Sequence, residues 1–116
     1  MDKETIKKAE EFAEEITRCK EYKEFLQANK ALKNSADSMK LIDKLDQKQQ
    51  EIGYNARSDV MGEIKEIQQK MKNDKIIQEL IRTQNELTQL LRETNTIISE
   101  KIDSPFAFSK AGGCCG

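Results

Sequence analysis

The sequence predicts an all-α fold of about five helices packed as a small bundle, the last of them long. Three observations predict it. The chain is 35% charged and 36% hydrophobic, with one proline, five glycines and no tryptophan, a mix suited to long charged helices rather than strands and tight turns. Apolar residues step by three and four along almost the whole chain, and the breaks in that stepping fall on residues that cap or end helices. With 116 residues there is room for one modest domain, which buries only about two-thirds of the surface its unfolded chain exposes. Its own core is therefore thin.

The first element runs over residues 3 to 18, where Ile6, Ala9, Phe12, Ala13 and Ile16 share one face and Lys and Glu fill the other. After Cys19 the apolar phase resets with Tyr22, Phe25, Leu26, Asn29 and Leu32, which predicts a second helix or a bend there. Asn34 and Ser35 can cap free backbone N–H groups, so a third helix follows over residues 36 to 52 with Met39, Ile42, Leu45, Gln49 and Ile52 in phase. Gly53 stands where a left-handed C-cap is favoured, and residues 54 to 57 read as a loop. Ser58 is a good N-cap for a fourth helix carrying Val60, Ile64, Ile67 and Met71.

Asn73 and Asp74 mark the next restart. Beyond them Ile77, Leu80, Gln84, Leu87, Leu91, Thr94 and Ile98 keep a three-four alternation for about three heptads, the strongest periodic signal in the chain. A stripe of about 25 residues spans nearly 40 Å, more than so small a domain needs for its own core. These seven residues are accordingly expected to meet another chain, in a coiled-coil-like seam where Gln84 and Thr94 set register or lie at its solvent edge. After Ile102 the pattern stops at Asp103-Ser104-Pro105. The domain is thus assigned to residues 1–103, and residues 104–116, ending Gly112-Gly113-Cys114-Cys115-Gly116, form a flexible tail.

Several functions are disfavoured. Twenty basic and twenty-one acidic residues leave a net charge of −1, so no positive field draws the chain to nucleic acid or to an anionic membrane. No apolar run approaches the roughly 20 residues of a membrane span, and the expected location is cytoplasmic. There is no histidine, which removes the commonest general base and a common zinc ligand. With no phosphate-cradling loop either, no enzymatic activity and no small-molecule substrate are expected. Carboxylate pairs such as Glu10/Glu14 and Glu11/Glu15 lie on a lysine-rich polar face and read as solvated.

The tail thiols invite chemistry. Thiolates are preferred ligands for zinc and iron–sulfur clusters, whose sites usually take four. Cys114 and Cys115 are candidate ligands, but a complete site needs further ligands from a second chain or an exogenous thiol. Cys19 reads as a small buried residue between helices. A lipid anchor fits poorly, because the chain does not end in a prenylation box and lacks a polybasic companion.

Two blocks resemble the YlbF/YmcA family, also called the competence-regulator YlbF domain. One is Cys19-Lys20-Glu21-Tyr22-Lys23-Glu24-Phe25-Leu26-Gln27-Ala28; the other is Asn73-Asp74-Lys75-Ile76-Ile77-Gln78-Glu79-Leu80, continuing through Gln84-Asn85-Glu86-Leu87 and Leu90-Leu91 to Asn95, Ile98 and Ile102. The resemblance covers roughly residues 3 to 103. It implies an all-α fold with a long last helix, no catalytic activity, and a homodimer or a hetero-oligomer with related helical proteins. It further implies a complex that influences competence, sporulation and biofilm formation through RNA processing, with family cysteines linked to iron–sulfur clusters.

Two readings follow. In the first the protein is a non-enzymatic regulatory adaptor working through the stripe on its last helix. In the second it is a redox component whose iron–sulfur cluster or zinc is held by Cys114 and Cys115 and shared with a partner chain. A prefoldin-like holdase shares the charged-helix composition but needs β-hairpin segments that this chain lacks.

Overall fold

A computed structural model describes residues 1–54 and 58–107. Five helices follow one another: α1 Lys3–Arg18, α2 Lys20–Lys33, α3 Ala36–Tyr54, α4 Ser58–Lys72 and α5 Lys75–Ile102. There is no strand among the described residues.

Local chemistry sets most of the boundaries. Asp2 caps α1 by accepting the Thr5 N–H at 2.7 Å, and Arg18 closes it where a cation complements the helix dipole. Cys19 alone separates α1 from α2. Its extended backbone (φ −69°, ψ 147°) turns the chain there, so the reset in apolar phase marks a true bend. Ser35 opens α3, its hydroxyl accepting the Ser38 N–H at 3.3 Å. Asp74 caps α5 by accepting the N–H groups of Ile76 and Ile77 at 2.9 and 3.1 Å. At the other end of α5, Asp103 adopts the left-handed conformation (φ 54°). Its N–H reaches Glu100 O at 3.3 Å and that of Ser104 reaches Ser99 O at 3.1 Å, a Schellman arrangement with Pro105 just beyond it.

One boundary differs from the sequence expectation. α3 does not stop at Ile52 with Gly53 as a left-handed cap; it continues through Gly53 to Tyr54. Glycine inside a helix costs only about 0.5–1 kcal/mol relative to alanine, so a favourable cap residue does not compel a stop. The rest of the expected loop, residues 55–57, lies outside the described residues. Ser58 is the first residue of α4 rather than a cap preceding it, within the usual one- or two-residue ambiguity of helix ends.

Two helix pairs build the bundle. α2 lies along α5 and α3 along α4, while α2–α3 and α4–α5 contacts join the pairs. The core comprises Ala28 and Leu32 from α2, Val60, Ile64 and Ile67 from α4, and Ile77 from α5. The α4 positions are those that the apolar stepping indicates. α1 contributes no buried residue; its contacts are chiefly with α2.

Ion pairs span the helix seams. Arg82 on α5 binds Glu79, reaches Glu86 at 2.9 Å, and crosses to Glu24 on α2 at 3.5 Å. Lys48 on α3 reaches Glu63 on α4 at 2.7 Å. The hydrogen bond to Glu63 is the main reason its ammonium is held above the ordinary lysine range. Such exposed pairs orient the helices more than they stabilise them.

The result is elongated, 55 × 30 × 21 Å with a radius of gyration of 18.5 Å, against about 13 Å for a compact chain of this length. Its accessible surface is 9322 Å², whereas a compact protein of this mass exposes about 6,500 Å². A thin core and long helices leave surface uncovered.

Candidate protein-association surface

The long stripe on α5 divides between the chain's own core and solvent. Ile77 is 2% exposed and belongs to the core; Leu80, Leu87, Thr94 and Ile98 are half-buried; Gln84 is exposed and Leu91 is 45% exposed. The line that turns inward is Leu80, Thr83, Leu87, Leu90 and Thr94, with Thr83 fully buried at 0%. It also steps by three and four, shares Leu80, Leu87 and Thr94 with the stripe of the most apolar residues, and is centred about half a residue's rotation around the helix from it.

Thr83 is tolerated inside because its hydroxyl donates back to the Glu79 and Leu80 carbonyls, each at 3.0 Å, which leaves no buried polar group unpaired. Ala28 is buried on the helix that packs against α5. Small side chains at these two positions suit a close approach of the helices.

A second buried polar residue ties the bundle together from one end. Ser38, near the start of α3, is 2% exposed. Its hydroxyl accepts from Ser35 at 3.0 Å and donates to the Asp74 carboxylate at 2.6 Å. Asp74 therefore serves two elements, as cap of α5 and as anchor for α3. The Ser38 hydroxyl, with the N–H groups of Ile77 and Ile76, holds its carboxyl below the ordinary aspartate range against the opposing effect of burial. The local pattern suggested Asp74 as a restart, but not its partner 36 residues earlier in the chain.

The distal half of α5 is the open part. Ile97 is 68% exposed and Ile102 54% exposed. What touches this half is the segment that follows. Asn95 accepts the Ala107 N–H at 3.0 Å and donates to the Ala107 carbonyl at 3.2 Å, while the Ser99 hydroxyl accepts the Phe106 N–H at 2.9 Å. Residues 105–107 are thereby laid back along α5. Replacing Asn95 with alanine is expected to release this strap, raising amide exchange at Phe106 and Ala107 at least about tenfold with little change in global stability. Unchanged exchange at both amides would show that Asn95 does not hold it.

The described residues include no group of three or more His, Cys, Asp or Glu side chains placed to hold a metal ion. Cys19 is half-buried between α1 and α2 and donates weakly to the Glu15 carbonyl at 3.4 Å. These residues do not fit a zinc or cluster site by themselves. The candidate ligands Cys114 and Cys115 lie outside the described residues. Two shallow depressions, one beside Asn95, Ser99 and Pro105 and the other between Lys20, Glu86 and Leu90, open broadly to solvent. No described helix is long and apolar enough to cross a membrane.

Fold and surface together define a small all-helical domain whose distinctive features are apolar helix faces left without cover. The chain belongs to the YlbF/YmcA family: the family model described as control of competence regulator ComK, YlbF/YmcA, matches residues 5–103. No curated protein and no solved structure matches it. The family is one of competence regulation.

Proposed function

We propose that the protein is a non-enzymatic regulatory adaptor that works by helix-mediated association, as a dimer or in a hetero-oligomer with related helical proteins of the cytoplasm. The observation that carries this reading is the uncovered outer edge of α5, where Leu91 and Ile102 are open to solvent and Ile98 is half-buried between them on the same face. An apolar edge this long costs solubility unless a partner covers it. A long amphipathic helix is best matched by another of its kind. In line with the family resemblance, the complex so formed acts on developmental regulation through RNA processing.

The test is an anaerobic affinity purification from the native cell with the wild-type chain and with Leu91→Glu/Ile98→Glu. Wild type is expected to retain a helical partner and the double variant to lose it, with equal helix content by circular dichroism. A wild-type chain that stays monomeric at micromolar concentration and brings down no partner would sink the adaptor reading. Iron, zinc and sulfide assayed in the same fractions test the second reading, favoured by the adjacent thiols Cys114 and Cys115. In that reading the pair holds a zinc ion or iron–sulfur cluster together with ligands from a partner chain.

A further inference from the structure

We infer that Cys19 and one cysteine of the C-terminal pair, Cys114 or Cys115, form a reversible intrachain disulfide that draws the tail across the open edge of α5. The pairing stands on its own; its effect on association rests on the reading above.

The adjacent thiols need a partner elsewhere. Consecutive Cα atoms are about 3.8 Å apart, shorter than the roughly 4.4–6.8 Å that a relaxed disulfide spans, so Cys114 and Cys115 do not pair comfortably with each other. Cys19 is the only other cysteine in the chain. It stands at the bend between α1 and α2, half-buried, and its thiol makes a weak bond at 3.4 Å to the Glu15 carbonyl. It is not part of the buried core, so turning it outward empties no core position.

The strap decides where the tail sets out. The Asn95 amide donates to the Ala107 carbonyl and accepts the Ala107 N–H. The chain has therefore turned back from the end of α5 at Ile102 to the level of Asn95, about 10 Å along the helix. Cys19 lies near the same level: its neighbours Lys20 and Glu21 line a depression with Leu90 and Glu93, and Glu93 is about 3 Å along the axis from Asn95. Across a helix about 10–12 Å wide, the gap from Ala107 to Cys19 is on the order of 15–20 Å. Residues 108–114 can span about 23–25 Å, which closes it without stretching.

The route crosses the open edge. At about 100° per residue, Asn95 and Ser99 stand on one side of Leu91 and Ile98, while Leu90 and Thr94, on the inward line, stand on the other. The shorter way round α5 from Ala107 to the start of α2 passes over Leu91 and Ile98.

Pairing needs an oxidant, and hydrogen peroxide suffices. One thiol takes an oxygen from peroxide to become a sulfenic acid, releasing water; the other thiol displaces that oxygen as a second water and leaves the S–S bond. Two electrons pass from sulfur to peroxide. Excess low-molecular-weight thiol reverses the step by exchange, so in a reducing compartment the link is transient and reports oxidation.

The test treats the whole chain, at about 10 μM, with hydrogen peroxide, then maps its peptides without reduction and footprints it with hydroxyl radicals. A linker this short gives an effective concentration on the order of 1 mM, so intrachain pairing is expected to outrun interchain pairing about a hundredfold. Wild type is expected to link Cys19 to Cys114 or Cys115. Labelling of Leu91 and Ile98 is expected to fall at least about twofold as the tail contacts them, and to return with dithiothreitol. Cys19→Ser is expected to lose both the link and the protection. Products confined to a Cys114–Cys115 bond or to interchain disulfides would overturn the pairing. A Cys19 link that leaves Leu91 and Ile98 as reactive as before would overturn the path over the edge. Neither readout involves a partner, so the adaptor reading and this switch can fail separately.

Discussion

Replacing Asp74 with alanine is expected to cost the folded chain about 2–4 kcal/mol, as the sum of two losses. An N-cap aspartate contributes roughly 0.5–2 kcal/mol, and here it accepts two N–H groups at the start of the longest helix. The same change takes from the Ser38 hydroxyl, which is 2% exposed, its acceptor while leaving the bond it accepts from Ser35, and a buried donor deprived of its acceptor costs about 1–3 kcal/mol. Urea unfolding followed by circular dichroism measures the total. A loss below about 0.5 kcal/mol would mean that the Ser38–Asp74 link does not hold α3 to α5.

Acid weakens the same link. The carboxyl of Asp74 lies below its ordinary value of 3.8 in the folded protein, chiefly through the Ser38 hydroxyl and then the two backbone N–H groups. Its charged form is therefore favoured by folding. That contribution is fully present above the unfolded value and is lost as pH falls below it through the lowered folded value. Asp74→Asn keeps an acceptor for the cap but does not titrate, so the stability gap between wild type and this variant is expected to narrow below about pH 4. A gap constant between neutral pH and pH 3 would argue that the Asp74 charge adds nothing.

Two positions of the same α5 stripe are expected to behave in opposite ways. Ile77→Ala removes a side chain only 2% exposed among the buried residues of three helices, and large-to-small changes at such sites cost about 2–5 kcal/mol. Leu91→Ala truncates a side chain 45% exposed, and its expected cost to the isolated chain is below about 1 kcal/mol, with its effect reserved for association. Unfolding and sedimentation of both variants separate the two roles. Equal destabilisation by the two would mean that the whole stripe is core, and would remove Leu91 from the association surface.

These contrasts show what was legible from the sequence. The bounds of α1 were, because Asp2 and Arg18 act within a few residues of the helix they close. The bend at Cys19 was, because a change of apolar phase is a local record of a change in axis. The core of α4 was too, since Val60, Ile64 and Ile67 offer one apolar ladder and no rival. Gly53 continues α3 where a stop is expected, because glycine permits a left-handed cap without requiring it. Ser38 was invisible because its partner is 36 residues away. Of the seven candidate contact residues on α5, only the outer ones lie open, and no apolar pattern marked Thr83 as the buried centre.

The sequence by itself determined that this is a helical protein of the YlbF/YmcA type with a long last helix, since capping and a 3.6-residue period are written within single turns. Only the tertiary structure decided which face of that helix turns inward. Beyond the buried Ile77, two ladders overlap on α5, one through Gln84 and Leu91 and the other through Thr83 and Leu90, and both satisfy the same spacing. The choice is made by α2, which packs along α5 and buries Ala28 in the core. A small residue and a self-bonded threonine allow closer approach there than a more apolar ladder would. That choice leaves Leu91 and Ile102 on the outside, where a partner can reach them.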